Sequence, residues 1–315
     1  MPLGHILSKS DKFVDIMTEE IRFGAIVLQD MPWKELVRIW QKFDTLGFDS
    51  TWIADHFVNY AHPTGPWLEG WTALAALAAC TSKIRLGTLV SSIPFRNPAL
   101  LARQAMTVDH ISGGRLELGI GAGASGGIDP SCRMIGIEDW SFKERTDRLR
   151  EQVEIVDKLL RNKTSSYKGK YYNINEAIMA PGPVQNPRPP IVVAAHAKAS
   201  LRVAAEYADA WISYGGEFGS PVEVVLDKTR DRNEALNKYC EKVGRDPTSL
   251  RRSLLIFGVE ANTAFASENQ FVEIVERYTT IGMTELIFFY PIFAPDQIPT
   301  FETIARGTIP VLRKS

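Results

Sequence analysis

Short apolar segments alternate with longer amphipathic segments along almost the whole chain, and this alternation restricts the fold more than any other feature. Eight segments are apolar and strand-like, namely residues 21–28, 50–54, 84–90, 116–121, 191–195, 210–214, 253–261 and 285–291. The segments between them have the apolar spacing of helices. Strands that are apolar on both faces are expected where helices cover a parallel sheet. Eight such units in 315 residues favour an α/β fold, a closed (β/α)8 TIM barrel.

An open, doubly wound sheet is the alternative arrangement of the same elements. Dinucleotide-binding sheets of that kind carry GxGxxG after the first strand, whereas LQDMPW stands at 28–33 here. The missing fingerprint weakens the open-sheet interpretation. We therefore predict one barrel domain over residues 1–315. The polar, aromatic and Pro-rich segment 162–190 is expected to be an insertion near the barrel mouth.

Charge and hydropathy exclude several classes of function. The 36 basic and 37 acidic residues give a net charge of −1, which does not suggest a nucleic-acid partner. No apolar stretch has the length of a membrane span. The first twenty residues lack a basic region followed by an apolar core, so we expect no signal peptide and a cytoplasmic protein. The three cysteines are far apart and form no CxxC pair.

The second predicted strand ends in an acid and an imidazole, Asp55 and His56. The pair suits a surface loop, two metal ligands, or the polar rim of an active site. In a barrel, the carboxyl ends of the strands carry the function, which favours the rim. A divalent ion needs three or four ligands, but only His56 and His196 among five histidines lie at predicted strand ends. We predict no metal site. The first, seventh and eighth strands are predicted to present Gln29, Glu260, Asn262 and Tyr290.

Two loops rich in small residues lie at further predicted strand ends. GIGAGASGG (119–127) leaves backbone N–H groups uncovered, so that a flat ring or a phosphate can approach. AAHAKAS (194–200) follows a strand and opens a helix, where unpaired N–H groups attract anions. Plain packing explains either loop alone. Together on one rim they suggest a phosphorylated planar cofactor.

The motifs TWIADHF, YADAWISYGG and the long block from Leu68 to Gly123 resemble the bacterial luciferase-like monooxygenase superfamily. The resemblance covers about residues 21–290. It implies a barrel with insertions that binds FMN or the deazaflavin coenzyme F420 across its mouth, with the phosphate near the loop after the fifth strand. It also implies a non-prolyl cis peptide at Leu89-Val90. The expected cofactor-binding residues are Gln29, Asp55, Val90, Ser91, Gly121, Ala122, Gly123, Ala194, Ala195, His196 and Ala197.

The resemblance implies an oxidoreductase that acts on a small organic substrate. A deazaflavin exchanges hydride, and the protein supplies orientation and a proton relay. A reduced FMN would instead react with oxygen. His56 is predicted to handle the proton, since imidazole titrates near neutrality, and Asp55 is predicted to position the ring. A catalytically silent flavin-binding or partner-subunit protein, and a metal hydrolase on the same barrel, are the alternatives. A homodimer and, for FMN, a separate flavin reductase are the candidate protein partners.

The chain departs from the superfamily at one point. Sugar-phosphate dehydrogenases of the superfamily carry a proton-donating glutamate in a Gly-Xaa-Gly-Glu pattern after the fourth strand. Here the loop reads Gly121-Ala122-Gly123-Ala124, which argues against the same substrate and leaves the proton donor open. Asp129 could reach inward from this loop, or it could cap a turn beside Pro130.

Overall fold

The computed structural model describes residues 20–124, 129–216, 219–292 and 294–313. Its strands are β1 Arg22–Ile26, β2 Ser50–Ile53, β3 Arg85–Thr88, β4 Ser91–Ser92, β5 Leu116–Gly121, β6 Thr164–Lys168, β7 Asn173–Ile178, β8 Ile191–Ala194, β9 Ala210–Ser213, β10 Arg251–Leu255 and β11 Glu285–Phe289. Its α-helices are α1 Trp33–Leu46, α2 Gly70–Ala79, α3 Pro98–Ser112, α4 Ser131–Met134, α5 Phe142–Arg161, α6 Lys198–Tyr207, α7 Val222–Lys242, α8 Val259–Thr263, α9 Glu268–Thr279, α10 Ile298–Arg306 and α11 Thr308–Leu312.

The parallel strands close into a barrel. They pair in the order β3-β2-β1-β11-β10-β9-β8-β5, and a further pairing of β3 with β5 joins the two ends. The third barrel strand is interrupted after Thr88, and β4 resumes the pairing with β5. Closure confirms the predicted (β/α)8 barrel, and the open sheet is wrong. All eight carboxyl ends therefore meet at one mouth.

A tryptophan fills the barrel interior. Trp52 is fully buried, and it packs in a cluster with Ile26, Val192, Ala210, Ile212 and Ile287. Neighbouring positions must be small to admit its ring. A Cβ at Gly87 would lie 2.7 Å from the Trp52 ring and 2.1 Å from the Glu117 carbonyl oxygen. A packed interior of this kind is a core rather than a pore.

The amino-terminal end of the barrel is closed by buried charges. Glu117 and Glu285 are fully buried, and Arg22, Arg85 and Arg251 surround them. The Arg85 Nε lies 2.6 Å from Glu117 Oε1, and the Arg22 Nη2 lies 3.0 Å from it. Burial alone would raise the pKa of Glu117, but the three guanidinium groups lower it to about 2. This end of the barrel is thus occupied by ion pairs.

The prediction that the seventh strand reaches residue 261 is wrong. The strand β10 ends earlier, and the next residues fold into the short helix α8. Glu260 is buried against α9, where Arg277 and the Tyr278 hydroxyl donate to its carboxylate. The backbone oxygen of Asn262 accepts a hydrogen bond from Gln297 Nε2. A buried acid with a partner on another helix was mistaken for a polar group at a strand end.

Tyr290 follows the eighth strand, but it packs on the outer side of the barrel. Its ring lies 5.5 Å from that of Phe43 on α1 and 5.3 Å from that of Phe301 on α10. Phe289, the preceding residue, packs against the interior cluster instead. Side chains alternate between the two faces of a strand, so a shift of one residue exchanges inside and outside.

The segment 162–190 interrupts the alternation of barrel strands and helices. The strands β6 and β7 form a separate antiparallel hairpin. The Glu151 carboxylate on α5 accepts backbone N–H bonds from residues 170–172 at its tip. The Pro-rich return then reaches the first residue of β5, where Gln185 Nε2 donates to the Leu116 carbonyl oxygen. That the segment borders the mouth stays a prediction.

Candidate active site

The Asp55 carboxylate, at the end of β2, is held by a buried arginine. Both of its oxygens accept hydrogen bonds from Arg96, one of them at 2.9 Å from Nη2, and the backbone N–H of Ser92 donates to Oδ2 at 2.9 Å. Asp55 is 3% exposed, and the Arg96 side chain is 8% exposed. A bidentate pair of this kind fixes geometry strongly. It ties the loop after the third strand to the end of the second.

His56 is held by an acid from a different loop. Its Nδ1 lies 2.6 Å from Asp129 Oδ2, and the other Asp129 oxygen accepts the Ser131 N–H at 2.8 Å. Burial would raise the pKa of Asp129, but the hydrogen bonds from His56 and Ser131 hold it below its usual range. The His56 side chain is 28% exposed and that of Asp129 only 6%. Asp129 therefore reaches inward and also caps a turn.

Aromatic side chains surround His56. The Trp67 Nε1 donates to the His56 carbonyl oxygen at 2.8 Å, and the Tyr60 ring lies 5.4 Å from the imidazole. Burial raises the pKa of Tyr60, and so do the nearby Asp129 and Tyr214. Tyr214 follows β9, so the loops after β2 and β9 face each other across the mouth. The Tyr60 and Trp67 rings thus border His56, which stays partly exposed.

The loop after β5 presents backbone rather than side chains. A Cβ at Gly121 would lie 2.4 Å from Val90 Cγ2, and Gly123 has φ of 75°. Arg145 Nη1 donates to the Ala122 carbonyl oxygen at 3.1 Å and steadies the loop. Between Leu89 and Val90 the peptide bond is cis. The missing side chain at Gly121 therefore lets Val90 pack directly against the backbone of β5, beside the cis bond where the resemblance implies a flat ring.

The Ser91 side chain is less available for contact with a cofactor than the sequence predicted. It is fully buried, and its Oγ lies 2.7 Å from Thr88 Oγ1 and accepts the Trp71 Nε1 at 3.1 Å. Its side chain is thus satisfied within the protein. Any contact with a cofactor falls to its backbone.

The predicted phosphate loop after β8 has two faces. Ala194 packs against the interior cluster, whereas Ala195 belongs to the layer between strands and helices. Exposed Ala197 precedes α6, and its N–H donates to Ser200 Oγ at 3.2 Å. The helix α6 has 10 residues, and the unpaired N–H groups at its N-terminus can attract an anion.

His196 stays neutral in this loop. Its Nε2 accepts the Tyr214 N–H at 3.3 Å, and the two rings lie 4.0 Å apart. Desolvation, followed by the repulsion of Arg232, lowers the pKa of His196 to about 3. Arg232 itself donates to the Ser213 hydroxyl and the Gly215 carbonyl oxygen. A neutral imidazole here does not add charge to the site.

Gln29, at the end of the first strand, has an unsatisfied acceptor. Its Nε2 donates to the Ala54 carbonyl oxygen at 2.6 Å, but its buried Oε1 has no hydrogen-bond partner within the described residues. A buried polar atom without a partner requires an explanation, and an absent ligand is one.

The structure brings six of the predicted site residues to the carboxyl ends of neighbouring strands: Gln29, Asp55, His56, Val90, Gly121 and Ala194. Sequence reasoning missed Arg96 and left Asp129 open. A signal for Arg96 existed, because an arginine in a strand-end loop must find a carboxylate if the loop is buried.

Across residues 20–124, 129–216, 219–292 and 294–313, no three His, Cys, Asp or Glu residues gather as metal ligands. Over the same ranges, no helix has the length and hydropathy to cross a membrane.

The family model described as "Luciferase-like monooxygenase" matches residues 5–304. The chain belongs to this family. Two curated relatives of this luciferase-like protein are an F420-dependent glucose-6-phosphate dehydrogenase of Amycolatopsis mediterranei, 32% identical over 67% of this chain, and a 5,10-methylenetetrahydromethanopterin reductase of Archaeoglobus fulgidus, 34% identical over 60%. The chain spans only 63% and 52% of their lengths.

Solved structures support the same fold for the luciferase-like chain. An F420-dependent secondary alcohol dehydrogenase in complex with an F420-acetone adduct superimposes with a TM-score of 0.78 over 91% of this chain and 99% of that one. Because only 17% of the residues are identical, this likeness shows the fold alone.

Proposed function

We propose that this protein is an F420-dependent oxidoreductase that exchanges hydride with a small organic substrate. The observation that carries the proposal is the 32% identity to an F420-dependent dehydrogenase over 67% of the chain. The paired His56 at the mouth adds a group that can handle a proton. Function is a property of the site rather than of the barrel, so both observations are needed.

The residues at the mouth suit a deazaflavin or flavin ring. Either ring carries a pyrimidine N–H, which can satisfy the orphaned Gln29 Oε1. The loop after β5 offers backbone rather than side chains beside Val90, and a flat ring can lie against such a surface. The N-terminus of α6, opened by Ala197, suits the phosphate. The coenzyme supplies hydride exchange with the substrate carbon, and the accompanying proton is left to the protein.

His56 is proposed as the group that takes or gives that proton. One ring nitrogen is engaged by Asp129, and the side chain is partly exposed toward the mouth. Asp55 is proposed to act indirectly. Its oxygens are engaged by Arg96 and the Ser92 N–H, so it shapes the pocket that holds the coenzyme.

The proposed substrate is not glucose 6-phosphate. Ala124 stands where the superfamily's sugar-phosphate dehydrogenases carry a glutamate, and an alanine can donate no proton. A secondary alcohol or its ketone is a reasonable first class to test, because its oxidation or reduction needs one hydride and one proton.

An anaerobic coenzyme assay tests the proposal. Purified protein is incubated with oxidised F420 and a panel of secondary alcohols, or with reduced F420 and the matching ketones, and coenzyme absorbance is followed. At least one pair should turn over, and His56→Ala should lower turnover roughly a hundredfold or more with little change in coenzyme affinity. His110→Ala, on the outer face of α3, is the matched control and should keep full turnover.

The alternatives give different results in the same assay. Oxygen-dependent substrate oxidation with reduced FMN, and none with F420, would favour a monooxygenase that works with a separate flavin reductase. A catalytically silent protein would bind a coenzyme and leave it unchanged with every substrate. A homodimer and a cytoplasmic location stay predictions from the sequence, to be tested by light scattering and cell fractionation.

A further inference from the structure

The hydrogen bond between His56 and Asp129 joins loops that are 73 residues apart in the chain. It bears on the protonation of the imidazole as well as on its position. We propose that Asp129 is a positioning residue that holds the neutral His56 as the Nδ1–H tautomer, which leaves Nε2 as the proton acceptor. The inference rests on the proposed function for its catalytic consequence. The assignment of the His56 tautomer itself does not depend on that function.

An ionised carboxylate dictates which nitrogen carries the proton. A carboxylate only accepts hydrogen bonds, so the nitrogen that faces it at 2.6 Å must be an N–H. Asp129 is ionised at neutral pH, since its pKa lies below the usual range for the causes given above. In the neutral ring the single proton then sits on Nδ1. The tautomer of a histidine is commonly fixed by the partner of its other nitrogen.

The Asp129 carboxylate has a second hydrogen-bond partner, which is itself hydrogen-bonded to the loop after β2. Its second oxygen accepts the Ser131 N–H at 2.8 Å, and the Ser131 hydroxyl accepts the Phe57 N–H at 3.1 Å. The Trp67 indole fixes the His56 carbonyl oxygen on the other side. The Phe57 and Trp67 contacts link the loop after β2 to its surroundings. The imidazole therefore has little freedom to exchange its Nδ1 partner.

The other titratable groups near His56 do not compete for Nδ1. Tyr60 is a protonated phenol whose pKa is raised, and Cys132 is a thiol whose pKa is raised by burial despite the nearby Arg145. Asp55 is engaged by Arg96. Asp129 is thus the anion in contact with the imidazole.

The chemical consequence is a balanced proton transfer. A substrate O–H bond breaks, a bond from that proton to His56 Nε2 forms, and the ring gains one positive charge. The negative charge of Asp129, 2.6 Å away, compensates that charge inside a partly desolvated site. With the opposite tautomer, Nε2 would already carry a proton and could not accept another.

Asp129→Asn is the substitution that tests the tautomer most directly. The amide oxygen can still accept the Ser131 N–H, while the amide NH2 now faces His56 and forces Nδ1 to accept. Long-range 15N–1H NMR of the protein without coenzyme should show Nδ1–H in the wild type and Nε2–H in the variant. The His56→Gln spectrum assigns the signal. Turnover should fall roughly a hundredfold or more, with KM little changed.

Two controls separate this effect from misfolding. Asp147→Asn, on the exposed face of α5, should leave both the tautomer and the turnover unchanged. Asp129→Glu keeps the charge and should restore the Nδ1–H signal and part of the turnover. Because the tautomer is measured in the wild type, this part of the test needs only the His56→Gln variant to fold, for the assignment of the signal.

The outcomes distinguish the inference from the proposed function. An Nε2–H tautomer in the wild type, or an unchanged tautomer and turnover in Asp129→Asn, overturns the inference. A wild-type protein with the Nδ1–H tautomer that never changes the redox state of F420 overturns the proposed function and supports the assignment of the tautomer.

Discussion

Replacement of Asp55 by alanine should destabilise the protein more than it alters chemistry at the mouth. The substitution leaves the guanidinium of Arg96, 8% exposed, without its bidentate partner, and it leaves the Ser92 N–H without an acceptor. Removal of one member of a buried ion pair costs about 3–5 kcal/mol. Glu69, 3.7 Å from Arg96 and half exposed, compensates in part. The lower end, about 3 kcal/mol, is therefore expected.

The loss is measurable by denaturant and thermal unfolding followed through tryptophan fluorescence. At about 2 °C per kcal/mol for a chain of this size, the melting temperature should fall by about 6 °C. Asp147→Ala removes an acid from an exposed pair with Lys143 and should cost less than about 0.5 kcal/mol. If Asp55→Ala loses less than about 1 kcal/mol and yet abolishes coenzyme binding, the carboxylate contacts the coenzyme directly and the reasoning fails.

Three further predictions concern the barrel and its insertion. The depressed pKa of Glu117 means that its ion pairs contribute fully to stability above pH 4.5 and that this contribution is lost as the pH falls toward 2. Urea unfolding at pH 6, 4 and 3 should show the loss, and Glu117→Gln should lower the stability at pH 6 and reduce its dependence on pH. Gly87→Ala should cost about 3 kcal/mol or more in chemical denaturation, because the new methyl overlaps the Trp52 ring and a backbone oxygen. Glu151→Ala should speed proteolysis within 162–190, seen by gel, because three tip N–H groups lose their acceptor; unchanged cleavage would contradict that anchoring.

Much of the barrel follows from local pattern. A helix was predicted between the strand-like segments 84–90 and 116–121, and α3 spans Pro98–Ser112 there because Asn97 caps its start and Gly113 adopts the left-handed conformation at its end. The strand β10 was predicted too long because apolar residues continue past its end. There Gly258 has φ of 71° and turns the chain into α8. Apolar content indicates burial, but it does not by itself indicate where a strand stops.

The sequence predicted which residues lie at the strand ends of the site, but it did not predict which side chains they pair with. Strand ends can be read from the chain, so Asp55 and His56 were placed at the mouth. Their partners Arg96 and Asp129 come from loops 41 and 73 residues away, and only the closed barrel brings them together. Ala194 and Ala195 face opposite sides because side chains alternate along a strand, but only the register of the closed barrel decides which of the two faces its interior.

The central claim is that the barrel mouth binds F420 for hydride exchange, and a coenzyme titration tests it most directly. Purified protein is titrated with F420 and, separately, with FMN, and quenching of the coenzyme fluorescence is measured. Saturable binding of F420, tighter than that of FMN and weakened by an Ala197→Asp substitution at the exposed, proposed phosphate site, is the predicted result. Quenching by neither coenzyme, or F420 binding unaffected by that substitution, would contradict the account.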